Sequence, residues 1–398
     1  NPIYKLTWIM PILIFPLFGG IFYVVYRQQN FSPKIINRFH QIDADRFHHV
    51  DHFDNPLNNK PSKYLYNLNF PLYQKTHTTF LPSGDSMYQA MLQDLKSAKR
   101  FIFLEFFIIN KGVMWDTILD ILKEKVSEGV EVKLIYDDFG SSTLPYRYHH
   151  HLRKIGIDAV PFNPMRLHLN FAMNYRDHRK IVVIDGRIGY TGGINIGDEY
   201  INLIQPFGHW LDTGIRLEGD AVFGLTINFL ENYRFQTNRK INYLDYKSHE
   251  KAPLDGYVSP FNDAPLDKEL VSKNMYLSLI NEATSSIKIT TPYLIIDNEL
   301  SEALKLAAKS GIDVQIIIPF VPDKKIIFMV TESYVPELMQ AGVKVYRYTP
   351  GFVHSKMMII DDREALIGTC NLDFRSLYLH FENMVYLYQS DAIKDMNH

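Results

Sequence analysis

The chain of 398 residues contains a single cysteine, Cys370. It can form no internal disulfide, and a Cys-based metal cluster is excluded. Flanked by Thr369 and Asn371, this cysteine reads as a small buried filler. Charge of one sign is equally scarce: 42 Lys and Arg against 44 Asp and Glu leave −2. Without a basic excess the chain lacks the electrostatic footprint of a nucleic-acid enzyme. No small-residue cleavage site follows its first apolar run, which argues against a processed signal peptide. What is present is a 46% apolar composition, enough for a sizeable core in one large or two medium domains.

That first run is Leu6 to Tyr26, 21 residues without a charge. As a helix it would span about 30 Å, one hydrocarbon core. Trp8, Tyr23 and Tyr26 stand where interfacial anchors belong, flanked by Lys5 and Arg27. Pro11, Pro16, Gly19 and Gly20 are tolerated in a membrane helix. The pattern predicts a transmembrane segment over residues 1–30. Residues 31–61 have no clear period and read as a juxtamembrane linker. Its His40, His48, His49 and His52, among Asp43, Asp45, Asp51 and Asp54, have the composition of a metal site. A solvated connector fits them better. His149-His150-His151 receives the same reading, because three consecutive residues cannot all face one ion from a regular element.

From Met87 the apolar pattern alternates between helical and strand periods. Helices are predicted over 87–99, 117–128 and 146–155, and strands over 101–109, 130–136 and 157–162. A second series repeats the order, with helices over 275–283, 299–310 and 326–340 and strands over 286–290, 314–318 and 343–348. S-E-G-V-E-V-K-L-I-Y in the first answers K-S-G-I-D-V-Q-I-I-I in the second. This rhythm argues for an α/β sandwich. The duplication extends over about 180 residues, too long a period for a solenoid. The halves are assigned to 62–250 and 251–398, with the seam near Asn242 to Ser259 and a pseudo-twofold axis between them.

Each series leads into an unusual strand. Tyr175 to Tyr200 reads Y-R-D-H-R-K-I-V-V-I-D-G-R-I-G-Y-T-G-G-I-N-I-G-D-E-Y, and Phe352 to Asn371 reads F-V-H-S-K-M-M-I-I-D-D-R-E-A-L-I-G-T-C-N. His178 and Lys180 share one strand face, as do His354 and Lys356. A proton carrier beside a fixed positive charge suits chemistry on an anionic phosphate. Asp185 and Asp361 follow at equal spacing, and both His-to-Asn intervals are 17 residues, ending at Asn195 and Asn371. One His-x-Lys in an apolar strand is a common coincidence; two with matching tails point to a doubled site. The odd His-to-Asp interval turns Asp185 and Asp361 to the opposite strand face, which suits a turn or an ion pair behind the strand.

The duplicated His-x-Lys-x4-Asp motif resembles the phospholipase D superfamily. The tails G-G-I-N-I-G-D-E-Y and N-L-D-F-R-S-L-Y-L-H-F-E resemble its bacterial cardiolipin synthase branch, and the likeness covers nearly the whole chain. It implies two phospholipase D-like α/β/α halves preceded by the transmembrane helix. The implied activity is a membrane-bound phosphatidyltransferase condensing two phosphatidylglycerol molecules into cardiolipin and glycerol. Water, as in a phospholipase D-type hydrolase, or serine, as in phosphatidylserine synthase, is the alternative acceptor. The resemblance further implies a phosphatidyl-histidine intermediate, with His178 as nucleophile and His354 as general acid, then base. The pseudo-symmetry leaves the reverse assignment open.

Within that reading Lys180 and Lys356 hold the non-bridging oxygens, so the chemistry needs neither metal nor cofactor. Asn195 and Asn371 add neutral donors. Asp185 and Asp361 join the catalytic set through the motif. Asp212 in H-W-L-D-T-G-I-R-L-E-G and Glu382 in L-H-F-E-N resemble segments that supply orienting carboxylates. His380 stands where close relatives often carry Asn. Phe162 to Asn174 is too apolar for an ordinary surface loop, and reads equally as a lip for acyl chains or a buried segment. The expected partners are phosphatidylglycerol and membrane lipid, and no nucleic acid. The family also implies an earlier membrane segment and a continuation beyond D-A-I-K-D-M-N-H. On that expectation the chain is a fragment, clipped at both ends, of a multi-pass bacterial cell-membrane protein with a cytoplasmic catalytic domain.

Overall fold

Strands covered on both faces have no polar side to show, and appear in sequence as unbroken apolar runs. In the computed structural model, which describes residues 9–27, 33–49, 57–164, 174–250 and 252–397, these runs build two sheets of one design. The first half supplies β1 (Thr76–Leu81), β2 (Phe101–Phe106), β3 (Glu131–Asp137), β4 (Asp158–Phe162), β5 (Arg176–Asp177), β6 (Ile181–Ile184), β7 (Ile188–Gly192), β8 (His209–Leu211) and β9 (Gly214–Gly219). The second supplies β10 (Tyr257–Asp263), β11 (Ser286–Thr290), β12 (Leu294–Ile295), β13 (Asp313–Pro319), β14 (Lys344–Tyr348), β15 (Gly351–Val353), β16 (Met357–Ile360), β17 (Glu364–Gly368), β18 (Leu372–Asp373) and β19 (His380–Tyr388). The orders are β1-β9-β7-β6-β2-β3-β4 and β10-β19-β17-β16-β11-β13-β14, so each of the seven strands in one order has a counterpart in the other. The motif strands β6 and β16 lie in the middle of their sheets.

The two faces of each sheet meet different cores. Ile102, Leu104 and Phe106 of β2 pack outward with helices Gly84–Ser97 and Val113–Ser127. Phe101 and Phe103 point the other way, into a central core. That core joins Val183 and Ile215 of the first sheet to Ile367 and Val385 of the second. Helices Val271–Glu282, Asn298–Lys309 and Lys325–Gln340 close the outer face of the second sheet. Helix Val222–Thr237 fills the centre with nearly every residue buried. Such a helix has no polar stripe, which is why no helical period announces it in sequence.

Two expectations fail before the first sheet. Among the described residues no helix is long and apolar enough to cross a membrane. Residues 9–14 are helical, Phe15 interrupts, and a second helix covers Pro16–Arg27. Its 12 residues extend about 18 Å, well short of a bilayer core. Pro16 has no N–H for the carbonyl of residue 12, and its ring crowds that turn, so the run divides there. This corrects the predicted transmembrane helix and the multi-pass cell-membrane localisation built on it.

The second difference is the linker. Residues 33–49 form helix Pro33–His49, fixed to Val222–Thr237 by charge. Arg46 donates two hydrogen bonds to Glu231, at 2.8 and 2.6 Å, and Arg234 donates to Asp45 at 2.8 Å. Asp45 is thus an ion-pair partner. His52, Asp51 and Asp54 lie outside the described residues, as do residues 165–173 of the apolar Phe162 to Asn174 stretch.

Candidate active site

Two short parallel pairings stitch the halves together where the motifs begin. β5 pairs with His380 and Phe381 of β19, and β15 pairs with β8. The two are equivalent under the pseudo-twofold. The His178 N–H donates to the Phe381 carbonyl at 2.9 Å, and the His354 N–H to the Leu211 carbonyl at 2.7 Å. On each receiving strand the next residue is acidic, Glu382 or Asp212. Backbone register therefore delivers a carboxylate of one half to the histidine of the other. Buried charges hold β5 in place: Arg176 pairs with Asp137 at 3.2 Å, and Arg179 with Asp177 at 2.9 Å and Glu105 at 3.0 Å.

The Glu382 carboxylate lies 2.9 and 3.0 Å from His178 Nδ1, and Asp212 Oδ2 lies 2.6 Å from His354 Nδ1. With Nδ1 engaged, Nε2 is the nitrogen each ring has for chemistry. Both rings line one cavity of about 410 Å³, with Asn195, Asn371, Tyr200 and Lys324 also in its wall. Burial pushes both imidazoles well below their ordinary range. Glu382 offsets this only in part for His178, and Lys356 and Lys180 reinforce it for His354.

Burial likewise lowers Lys180 to about 7 and Lys356 to about 8. Each ammonium donates to the carbonyl of its own histidine, Lys180 to His178 at 2.6 Å and Lys356 to His354. The carboxylates differ. Burial raises Asp212 to about 7 against the pull of Lys356. Glu382 meets the same burial but is held well below the usual carboxylate range by His178 and His380. Local packing matches the difference. Thr369 donates to Glu382 at 2.5 Å, whereas a Cβ at the equivalent Gly193 would sit 2.1 Å from Asp212 Oδ1.

A family model described as "Cardiolipin synthase, PLD-like domain" matches residues 91–205 and 276–398, well over half the chain and both motifs. The chain belongs to this family. It is 38% identical over 421 residues to a cardiolipin synthase of Halalkalibacterium halodurans, covering 100% of this chain and 84% of the relative. It is 39% identical over 410 residues to cardiolipin synthase 2 of Bacillus anthracis, with 100% and 80% covered. An uncharacterized protein of Streptococcus mutans is 43% identical over 406 residues, with 98% and 87% covered. The fold is similar to that of phosphatidylserine synthase from Haemophilus influenzae, with a TM-score of 0.62 at 17% identity over 85% of this chain and 89% of that one. This member of the cardiolipin synthase family is an enzyme, a phosphatidyltransferase of the phospholipase D superfamily.

Not every residue singled out in the sequence reaches the cardiolipin synthase-like site. Asp185 accepts the backbone N–H groups of Lys99, Arg100 and Phe101 at 2.7–2.9 Å, and Asp361 those of Thr284, Ser285 and Ser286 at 2.8–2.9 Å. Both occupy the left-handed region, at φ 55° and 52°, in turns beyond the motif strands. Asn195 reaches the cavity, yet its amide already donates to Tyr200 and accepts from the Ile108 N–H. Asn371 donates to Asp373 at 3.1 Å and leaves its buried Oδ1 without a partner. The histidine–lysine segments 178–180 and 354–356 carry no regular secondary structure and precede β6 and β16. Trp210 was not singled out; its ring lies 5.2 Å from that of His354. One signal could have found it: Trp210 stands two residues before Asp212, as His380 stands before Glu382.

Proposed function

We propose that this enzyme transfers a phosphatidyl group from one phosphatidylglycerol molecule to a glycerol hydroxyl of a second, giving cardiolipin and free glycerol. The observation that carries the reading is the pair of histidines in one cavity, each held through Nδ1 by a carboxylate from the opposite half. His178 Nε2 attacks phosphorus and the bond to the leaving glycerol oxygen breaks, while His354, which enters the step protonated on Nε2 and paired with Asp212 through Nδ1, gives that oxygen a proton. His354 then takes the proton of the acceptor hydroxyl, whose oxygen displaces His178 and breaks the phosphorus–nitrogen bond. Lys180 and Lys356 offset charge on the non-bridging oxygens. Assigning the nucleophile to His178 follows from its partner, because the ionised Glu382 stabilises the imidazolium character that develops on attack.

The test uses phosphatidylglycerol dispersed in neutral detergent, with chelator present. Cardiolipin and free glycerol should form in equal amounts. Phosphatidic acid with glycerol would instead identify water as the acceptor. Complete loss of activity in chelator, restored only by one metal per chain, would reverse the assignment of charge stabilisation to the lysines.

A further inference from the structure

His380 has no part in the reaction just described, yet it is placed in the same cavity. It opens β19 two residues before Glu382, so both side chains leave the same strand face. The residue is 9% exposed, and neither ring nitrogen has a hydrogen-bond partner. Leaving a buried polar group unpaired is costly, so such a ring invites a ligand. Its Nδ1 lies 3.6 Å from Glu382 Oε1, and its ring centre 5.3 Å from that of His178.

One donor atom from each of His178, His380 and Glu382 lies within 4.8 Å of the other two. Around a tetrahedral zinc ion, with bonds of about 2.0–2.1 Å, neighbouring donors stand roughly 3.3 Å apart. The separations of His178 Nδ1 and His380 Nδ1 from the same oxygen, Glu382 Oε1, are 3.0 and 3.6 Å and straddle that value. Two imidazoles and a carboxylate suit a first-row transition ion, whereas calcium and magnesium prefer all-oxygen surroundings. The pseudo-twofold sharpens the point. The counterpart of His380 is Trp210, whose ring is likewise tilted against that of His354 but offers no lone pair. Only one of the two equivalent corners can ligate.

We propose that His178, His380 and Glu382 form a zinc site, and that zinc bound there inhibits phosphatidyl transfer. The ion takes the place of the proton on the imidazole nitrogen facing Glu382 and occupies the carboxylate oxygen that accepts it. The nucleophile then loses the partner that stabilises its positive charge during attack. The inhibitory half of this proposal rests on the reading of His178 as nucleophile, but the binding half does not.

The full chain, stripped with chelator and dialysed, is titrated with Zn2+ by calorimetry and with Co2+ by visible absorption. We expect one ion per chain and the intense absorption bands of four-coordinate Co2+. His380→Gln should weaken Zn2+ binding at least tenfold. It should raise the half-inhibitory Zn2+ concentration by a similar factor, measured against that variant's own metal-free rate. His149→Ala combined with His150→Ala should leave the stoichiometry unchanged, because those residues lie outside the site. Absence of stoichiometric binding, or octahedral Co2+ spectra in the wild type, overturns the site whether or not the variant folds. Unchanged affinity in folded His380→Gln does the same. Binding without inhibition removes the regulatory half. Intact zinc binding by a chain that makes no cardiolipin under any metal condition sustains the site and refutes the phosphatidylglycerol reading instead.

Discussion

Each motif histidine has a carboxylate on one nitrogen and the cavity on the other, so its two faces do separate jobs. The proposed roles can be divided by leaving group. His178→Ala should abolish turnover of every phosphodiester. His354→Ala should abolish cardiolipin formation, yet still release p-nitrophenol from a p-nitrophenyl phosphodiester, because that leaving group needs no protonation. A stopped-flow burst from His354→Ala and none from His178→Ala is the expected result; the opposite pattern reverses nucleophile and acid.

Lys180 carries a different prediction. Its ordinary value of 10.5 falls to about 7 on folding because burial disfavours the charge. Between those values the unfolded chain binds more protons, so this lysine makes stability rise with pH across that window. Lys180→Met should flatten that rise and leave the melting temperature at pH 7 equal or higher. Its turnover should drop by roughly 10²–10³-fold, the loss typical of one charge-stabilising donor. A lower melting temperature at pH 7 would show that the ammonium is a net stabiliser.

At the scale of elements, the motif aspartates act as turn clamps. Asp185 gathers three N–H groups ahead of β2, and Asp361 does the same ahead of β11. Asp361 lies well below its ordinary 3.8: burial opposes the charge, but the donors from residues 284–286 outweigh it. A depressed carboxylate stabilises the fold above its unfolded value and loses that contribution as pH falls through the folded one. Asp361→Asn should therefore flatten the acid limb of a pH–stability curve. Asp185→Ala should cost about 1–3 kcal/mol by chemical denaturation, while Asp212→Asn and Glu382→Gln should lower turnover more than Asp185→Asn does. A larger rate loss from folded Asp185→Asn would put that carboxylate in the chemistry. Helix Pro33–His49 depends on Arg46, a buried cation paired with Glu231. Arg46→Met leaves that acid unpaired, and should cost about 3–5 kcal/mol in the same assay.

At the scale of the molecule the pseudo-twofold places both histidines in one cavity of one chain, with their carboxylate partners exchanged between halves. Mixing purified His178→Ala with His354→Ala should restore no activity, since neither chain then holds a complete pair. Recovery of a substantial fraction of wild-type turnover would mean that halves exchange between chains. The sheets also account for the accuracy of sequence reading within them. Strand Ser286–Thr290 has its predicted bounds, and helix Lys325–Gln340 starts one residue early. Periodicity is strong where one face of a helix, or both faces of a strand, meet a core. It vanishes in Val222–Thr237, which is buried almost all round, and it does not announce Pro33–His49, where ion pairs supply much of the contact.

The sequence by itself determined the duplication, the α/β rhythm and the four motif residues His178, Lys180, His354 and Lys356, because these are local patterns whose spacing repeats. It also brought Asp212 and Glu382 forward, through resemblance. Only the tertiary structure decided which carboxylate serves which histidine. Glu382 is more than two hundred positions from His178, and the choice depends on the cross-seam register of β5 with β19. The same distance hid the meeting of His178, His380 and Glu382 from any reading of ligand spacing. Hydropathy sums over residues, so the apolar run Leu6 to Tyr26 reads as one spanning helix. A backbone without an N–H at Pro16 interrupts the hydrogen-bond ladder however apolar its neighbours are.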